Sequence, residues 1–241
     1  MQLVIDVGNT RVKAAVFKKT VLEQLVVIDK DKFSSQIGDF VENFSVKKAI
    51  ISSVGRLTEA QRRSVQLRFP TTLLSHTTPV PFKNLYATPS TLGVDRIGLM
   101  AAFAKAYPNK SGLVIDAGSC ITYDFINARG EYIGGAISPG IRLRYEAMHN
   151  YTAKLPLLKI TDVYSLIGES TETAMHSGVI NGTIQEIEGV IEQYKKEHNI
   201  DVIVITGGDG EFLSKRLKNS IFAHSNFLLE GLNYILTQID D

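Results

Sequence analysis

An α/β fold built from two related halves is predicted by three observations. The hexapeptide LVIDVG at residues 3–8 returns as LVIDAG at residues 113–118 of a 241-residue chain. Leu3, Val4, Ile5, Asp6 and Gly8 match Leu113, Val114, Ile115, Asp116 and Gly118. A second echo pairs KAIISSVG at 48–55 with DVIVITGG at 201–208. Each is an apolar strand run that ends in small residues and glycine, ahead of a helical stretch. Helices follow strands throughout, which makes the class α/β with mixed sheets. The break falls at PNKSG, residues 108–112, and predicts halves of 1–111 and 112–241.

In order along the chain, QLVID is a short buried strand and VGNT a turn, with RVKAAVF returning as a second strand and VLEQLVVI as a third. From Lys30 the period changes. Phe33, Ile37, Phe40, Val41 and Phe44 fall on one face of an amphipathic helix. KAIISSVG is a strand, LTEAQRRSVQLRF a polar helix, and TTLLS another strand. TTPVPFKNLYATPSTLG, with three prolines, reads as a long ordered loop of the kind that carries function. Asp95 to Tyr107 is helical. In the second half LVIDAG, ITYDFI and EYIGGAI are strands. SPGIR is a loop that leads into a helix through Ala147, and a mixed segment runs to Leu158. Thr171 to Glu197 is the clearest helix, with Ile180, Ile184, Ile187, Ile191 and Tyr194 in one stripe. DVIVITGG, SIFAH and the helix FLLEGLNYIL close the chain.

Composition narrows the function classes. A net charge of +1 with interspersed signs disfavours a nucleic-acid partner held by bulk charge. Cys120 is the only cysteine, which excludes an intrachain disulfide and fits a reducing cytoplasm. A strand that begins at Gln2 leaves no room for a signal peptide, and no apolar run approaches the ~18 residues of a membrane span. The five histidines lack paired metal-ligand spacing.

The chemistry is concentrated in the repeated hairpins. Neither G-x-x-x-x-G-K-[ST] nor G-x-G-x-x-G is present, so any phosphate must be held another way. N–H groups of a tight glycine turn favour an anion, and Asn9, Thr10 and Ser119 add side-chain donors. Lys13 reaches back along the second strand. Asp6 and Asp116 stand where a carboxylate can orient Mg²⁺ waters or bind a cation. Two such hairpins facing each other would form a nucleotide clamp; a single D-x-G-N-T is otherwise an ordinary turn. For Asp95, at the start of a helix, two readings stand. One is a helix cap. The other is a carboxylate for a substrate hydroxyl, with Arg96 pairing an anionic group. GGDGEF at 207–212 is either a turn that admits an adenine ring or an ordinary strand-to-helix turn, and GGAISPG at 134–140 is open in the same way. Cys120, with no histidine near in sequence, reads as a small buried residue.

Duplicated D-x-G hairpins with a strand-and-glycine adenosine motif resemble those of the acetate and sugar kinase, Hsp70 and actin superfamily. DVGNT, GVDR, DAGSCITYD, GGAISPG, AKLP, GESTETAMHSG and ITGGDG, in that order, resemble type III pantothenate kinases over most of the chain. The resemblance implies two actin-like, ribonuclease H-like halves around an interdomain nucleotide cleft. It implies ATP-dependent phosphorylation of pantothenate, the first step of coenzyme A synthesis, in a cytoplasmic homodimer that uses Mg²⁺ and K⁺ or NH₄⁺. By motif, Asp6, Val7, Gly8, Asn9, Thr10, Arg11, Val12 and Lys13 line the ATP phosphates, and Ser119 also contacts ATP. Asp95 is the proton acceptor. Tyr86, Gly93, Val94, Asp95, Arg96 and Thr171 contact pantothenate, and Asp116 binds the monovalent cation. One departure is Ser119, where the family carries threonine; the hydroxyl is kept. Cys120 and Ile121 are also less typical of that turn. The competing functions are another small-molecule kinase of the superfamily, such as a sugar kinase, and a non-enzymatic regulator of transcription.

Overall fold

The computed structural model describes residues 1–9, 11–55, 57–162 and 165–239. Its contacts form two compact units. The first comprises Met1–Asn109, Gly130–Ile133 and Asn226–Asp241, and the second Lys110–Arg129 and Gly134–Ser225. The first crossover lies in the predicted PNKSG break, and two later segments return to the first unit.

In the first unit β1 (Gln2–Val7), β2 (Val12–Lys18), β3 (Val21–Ile28), β4 (Lys48–Ser53) and β5 (Thr71–Leu73) form a sheet in the order β3-β2-β1-β4-β5. β1 runs antiparallel to β2 and parallel to β4. Side chains alternate across a strand. Leu3, Ile5 and Val7 therefore join Val12, Ala14, Val16, Ala49 and Ile51 in one core, with Phe33, Ile37 and Val41 of α1 (Phe33–Val41) and Val65 of α2 (Glu59–Gln66). Helix α1 stops at Val41, short of the predicted Phe44, which still packs on that core. Thr58 and Gln61 close a capping box at the start of α2.

The opposite sheet face carries Asp6, Lys13 and Ser52, which are register partners: Asp6 pairs with Lys13 on β2 and with Ser52 on β4. Helix α3 (Val94–Ala106) packs against β4 on the side away from α1 and α2, together with the closing helix α8 (Phe227–Gln238). The predicted long loop before α3 contains β6 (Lys83–Asn84) and a 3₁₀ turn at Pro89–Thr91. β6 pairs in parallel with Glu131 and Tyr132, the first residues of β9 (Glu131–Pro139).

The second unit repeats the plan. β7 (Gly112–Ala117), β8 (Cys120–Ile126), β9, β10 (Val202–Thr206) and β11 (Phe222–Ala223) run in the order β9-β8-β7-β10-β11, the counterpart of the first sheet. β7 is antiparallel to β8 and parallel to β10. Leu113, Ile115, Ala117, Ile121 and Tyr123 bury their side chains with Ile141 and Tyr145 of α4 (Ile141–Asn150) and Ile187 and Ile191 of α6 (Gly182–Glu197). The predicted helix 171–197 is α5 (Thr171–His176), a π turn at Ser177–Asn181, and then α6. Local side-chain bonds accompany the π turn: Asn181 Nδ2 donates to Ser177 Oγ at 3.1 Å, and Thr183 Oγ1 to the Val179 carbonyl at 2.7 Å. Ser170 caps α5 with a reciprocal Thr173 bond. A short α7 (Gly210–Ser214) follows β10. Among the described residues no helix is long and apolar enough to cross a membrane.

Candidate active site

The two hairpins are alike in backbone detail. Gly8 N–H donates to the Arg11 carbonyl at 3.1 Å, and Gly118 N–H to the Cys120 carbonyl at 3.0 Å. The second turn is one residue tighter: the last pairs are Val7 with Val12 and Ala117 with Ile121. A loop after the neighbouring parallel strand then closes on each. In the first unit Gly55 N–H donates to the Val7 carbonyl at 2.9 Å, and Lys30 Nζ reaches the Asn9 carbonyl at 2.6 Å. Thr10 lies outside the described residues.

Asp6 stands at the end of β1 with its carboxylate on the face that α3 covers. Two buried oxygens there, Asp6 Oδ1 and Ser52 Oγ, have no protein hydrogen-bond partner. Burial first, and then the charge of Asp95, push the Asp6 carboxyl up to about 7, against the opposing pull of Lys13. Asp95 is the second residue of α3. The N-cap is Gly93, which has no side chain, and Asp95 folds back to accept the Arg96 N–H at 2.8 Å. Asp95 is therefore not the N-cap of α3; it accepts a first-turn N–H from inside the helix and lies close enough to Asp6 for their charges to interact. Burial raises the Asp95 carboxyl above its ordinary value, although the Arg96 N–H and charge pull it down.

Beside Asp95, the Arg96 guanidinium lies over Tyr86 at 5.5 Å and over Tyr132 at 6.0 Å. The Tyr86 and Tyr132 rings stack 6.1 Å apart at 19°. β6 makes this possible, because its pairing with Glu131 and Tyr132 brings Tyr86 beside Tyr132. The first unit therefore gathers Asp6, Lys13, Tyr86, Gly93, Val94, Asp95 and Arg96, and adds Tyr132 and Ser52. Tyr132 carries no local signal in the sequence, since only the strand pairing brings it to Arg96.

In the second unit the DAGS turn is enclosed by two glycine loops. Gly207 has φ +92°, and a Cβ there would lie within 3.0 Å of both the Ala117 carbonyl and the Asp116 carboxylate. Asp209 N–H donates to the Ala117 carbonyl at 2.9 Å. Gly140 N–H donates to the Ser119 carbonyl at 3.1 Å, and a Cβ at Gly140 would again come within 3.0 Å of Gly118 and Ser119. The motifs ITGGDG and GGAISPG, open to a bland reading in the sequence, therefore brace the turn of Asp116 and Ser119. Cys120 is partly exposed rather than buried. Thr171 begins α5 and is exposed.

Among the described residues no cluster of three or more His, Cys, Asp or Glu side chains could cage a metal. Mg²⁺ in phosphate sites typically takes only one or two carboxylates and completes its shell with water and phosphate oxygens. Asp6, with one oxygen unmatched by protein, fits that use.

The family model of type III pantothenate kinases matches residues 2–193. A type III pantothenate kinase of Flavobacterium johnsoniae is 48% identical over 234 residues, 97% of this chain and 96% of that protein. Two solved structures show the same fold at low identity. A Campylobacter jejuni protein assigned to the Baf family of transcriptional activators is 22% identical, with a TM-score of 0.66 over 99% of this chain and 98% of that one. A Listeria monocytogenes protein described as an N-acetylmannosamine kinase is 13% identical, with a TM-score of 0.57 over 100% of this chain and 99% of the other. Both structures thus share the duplicated α/β fold of this chain, and by its motifs and its end-to-end relatives the chain belongs to the type III pantothenate kinase family.

Proposed function

We propose that the protein transfers the γ-phosphoryl group of ATP to the primary hydroxyl of pantothenate, the first step of coenzyme A synthesis. The observation that carries the reading is the half-buried pair of carboxylates, Asp6 on the sheet and Asp95 on the helix that covers it, beside the Arg96–Tyr86–Tyr132 stack. Asp95 orients the hydroxyl and takes its proton as the new O–P bond forms and the bond to the ADP oxygen breaks. Arg96 pairs the pantothenate carboxylate, and Tyr86 packs beside it, with Gly93 and Val94 shaping the approach. Residues 6–13 and Ser119 would hold the phosphates, and Asp6 would hold Mg²⁺. Mg²⁺, when bound, offsets charge on the transferring group. Phosphoryl transfer passes through a loose transition state, so positioning and charge carry most of the catalysis. Asp116 would hold K⁺ or NH₄⁺. Thr171 completes the pantothenate pocket of the partner in a homodimer, and the protein works in the cytoplasm. The sequence duplication is read as 1–111 and 112–241, although Gly130–Ile133 and Asn226–Asp241 pack with the first unit.

The test is ADP release from purified protein with pantothenate against a panel of hexoses and N-acetyl sugars. Turnover with pantothenate alone is expected. Turnover with a sugar would reassign the substrate, and no turnover with any acceptor would leave a nucleotide-binding regulator.

A further inference from the structure

Glu186 lies on α6, away from every motif used above, yet groups from three other elements converge on its carboxylate. Tyr123 Oη of β8 donates to Oε1 at 2.9 Å, and Ser138 Oγ of β9 to the same oxygen at 2.5 Å. Arg144 Nη2 of α4 pairs with Oε2. The side chains of Arg144 and Glu186 are only 21% and 29% exposed. Burial alone would raise the Glu186 carboxyl, but the bonds from Arg144, Ser138 and Tyr123 hold it below its ordinary value, so it carries its charge.

The destination of these contacts matters. Arg144 Nε donates to the Pro139 carbonyl at 2.9 Å. The next residue, Gly140, is pressed against Gly118 and Ser119. Tyr123 belongs to the strand that leaves the same turn. Glu186 therefore grips both neighbours of the Gly118–Cys120 turn, the β9–α4 loop and β8. A half-buried ion pair of this kind adds little net stability over apolar packing.

We propose that Glu186 is a positioning residue that sets the Gly118–Cys120 turn for the nucleotide, acting through Arg144, Ser138 and the Pro139–Gly140 backbone. The proposal rests on the reading that this turn meets ATP, and its test separates the two. Glu186→Gln keeps the volume and one acceptor but releases Arg144. Its KM for ATP should rise about tenfold with the KM for pantothenate within about twofold, because a small displacement of a binding group is costly. Glu186→Ala should do more, and Arg144→Lys should reproduce the defect.

Cys120, the only thiol in the chain and the neighbour of Ser119, provides a readout that needs no activity. Alkylation of the native protein by N-ethylmaleimide should be several-fold faster in Glu186→Gln than in wild type, without ATP and at unchanged melting temperature. Wild-type thiol reactivity in both Glu186→Gln and Arg144→Lys would overturn the proposal, as would equal rises in both KM values with a lowered melting temperature. Faster alkylation with an unchanged KM for ATP in both Glu186→Gln and Ser119→Ala would keep the network and remove the turn from the nucleotide site.

Discussion

Replacing Gly207 with alanine adds one methyl group where the structure has two reasons to refuse it. The backbone φ is +92°, a region that L-residues enter only under strain. The new Cβ would also fall within 3.0 Å of the Ala117 carbonyl and the Asp116 carboxylate, closer than real Cβ atoms come. Backbone strain of this kind costs about 1–3 kcal/mol, and overpacking a tight site costs about 1–3 kcal/mol more. The sum, roughly 2–6 kcal/mol, is a large share of the ~5–15 kcal/mol that holds a domain together. Gly208 is the internal control. A Cβ there meets nothing within 4 Å, so Gly208→Ala should change stability by less than about 0.5–1 kcal/mol. Urea unfolding followed by circular dichroism, with wild type and both variants at one pH, measures the difference as a shift in midpoint. Because Asp116 takes part of the clash, Gly207→Ala should also blunt the response of turnover to K⁺. Equal midpoints and equal K⁺ responses for the two variants would refute the argument that the ITGGDG glycine is shaped around Asp116.

Asp6 predicts a pH dependence in the metal-free protein. Its folded pKa is raised to about 7 from 3.8, so between those values the native state holds a proton that the unfolded chain has lost. Stability contributed by the protonated form is present at the acid end and is lost as pH rises toward 7; from about pH 5 to about pH 8 the loss is roughly 2–3 kcal/mol. In chelator, urea midpoints of wild type should fall across that range more than those of Asp6→Asn, and parallel curves would remove Asp6 as the source. For Asp95→Asn, turnover should drop by roughly 10²–10⁴-fold with the far-ultraviolet spectrum unchanged; near-normal turnover of the folded variant would sink the proton-acceptor role. Activity in Tris or Na⁺ buffer with Mg²⁺ should be low and should recover with K⁺ or NH₄⁺. Asp116→Ala should respond to neither ion, and full wild-type activity in buffer free of K⁺ and NH₄⁺ would reject the cation site.

The sequence by itself determined the repeated plan. LVIDVG and LVIDAG became β1 and β7, and the strand order around each is the same, because apolar alternation and a glycine turn are local signals that survive folding. The places of Asp6 and Asp116, each next to last in its strand, were legible for that reason. The ends of α1 and the π turn inside 171–197 were not, because apolar periodicity records the buried face of a helix and not the individual backbone bonds that end it or widen a turn. The choice for Asp95 between cap and chemistry was also closed to local reading. In the fold it bonds the Arg96 N–H and stands near Asp6, a residue 89 positions earlier (95 − 6) that it reaches only through packing of α3 on the sheet.

Only the tertiary structure could bring Tyr132 under Arg96, Gly207 against Asp116, Gly140 against Ser119 and Glu186 to Arg144. Each of these contacts joins residues whose spacing follows no helical or strand period. Periodicity records which face of an element is buried, whereas the partner on that face is set by strand order and by the loops between strands.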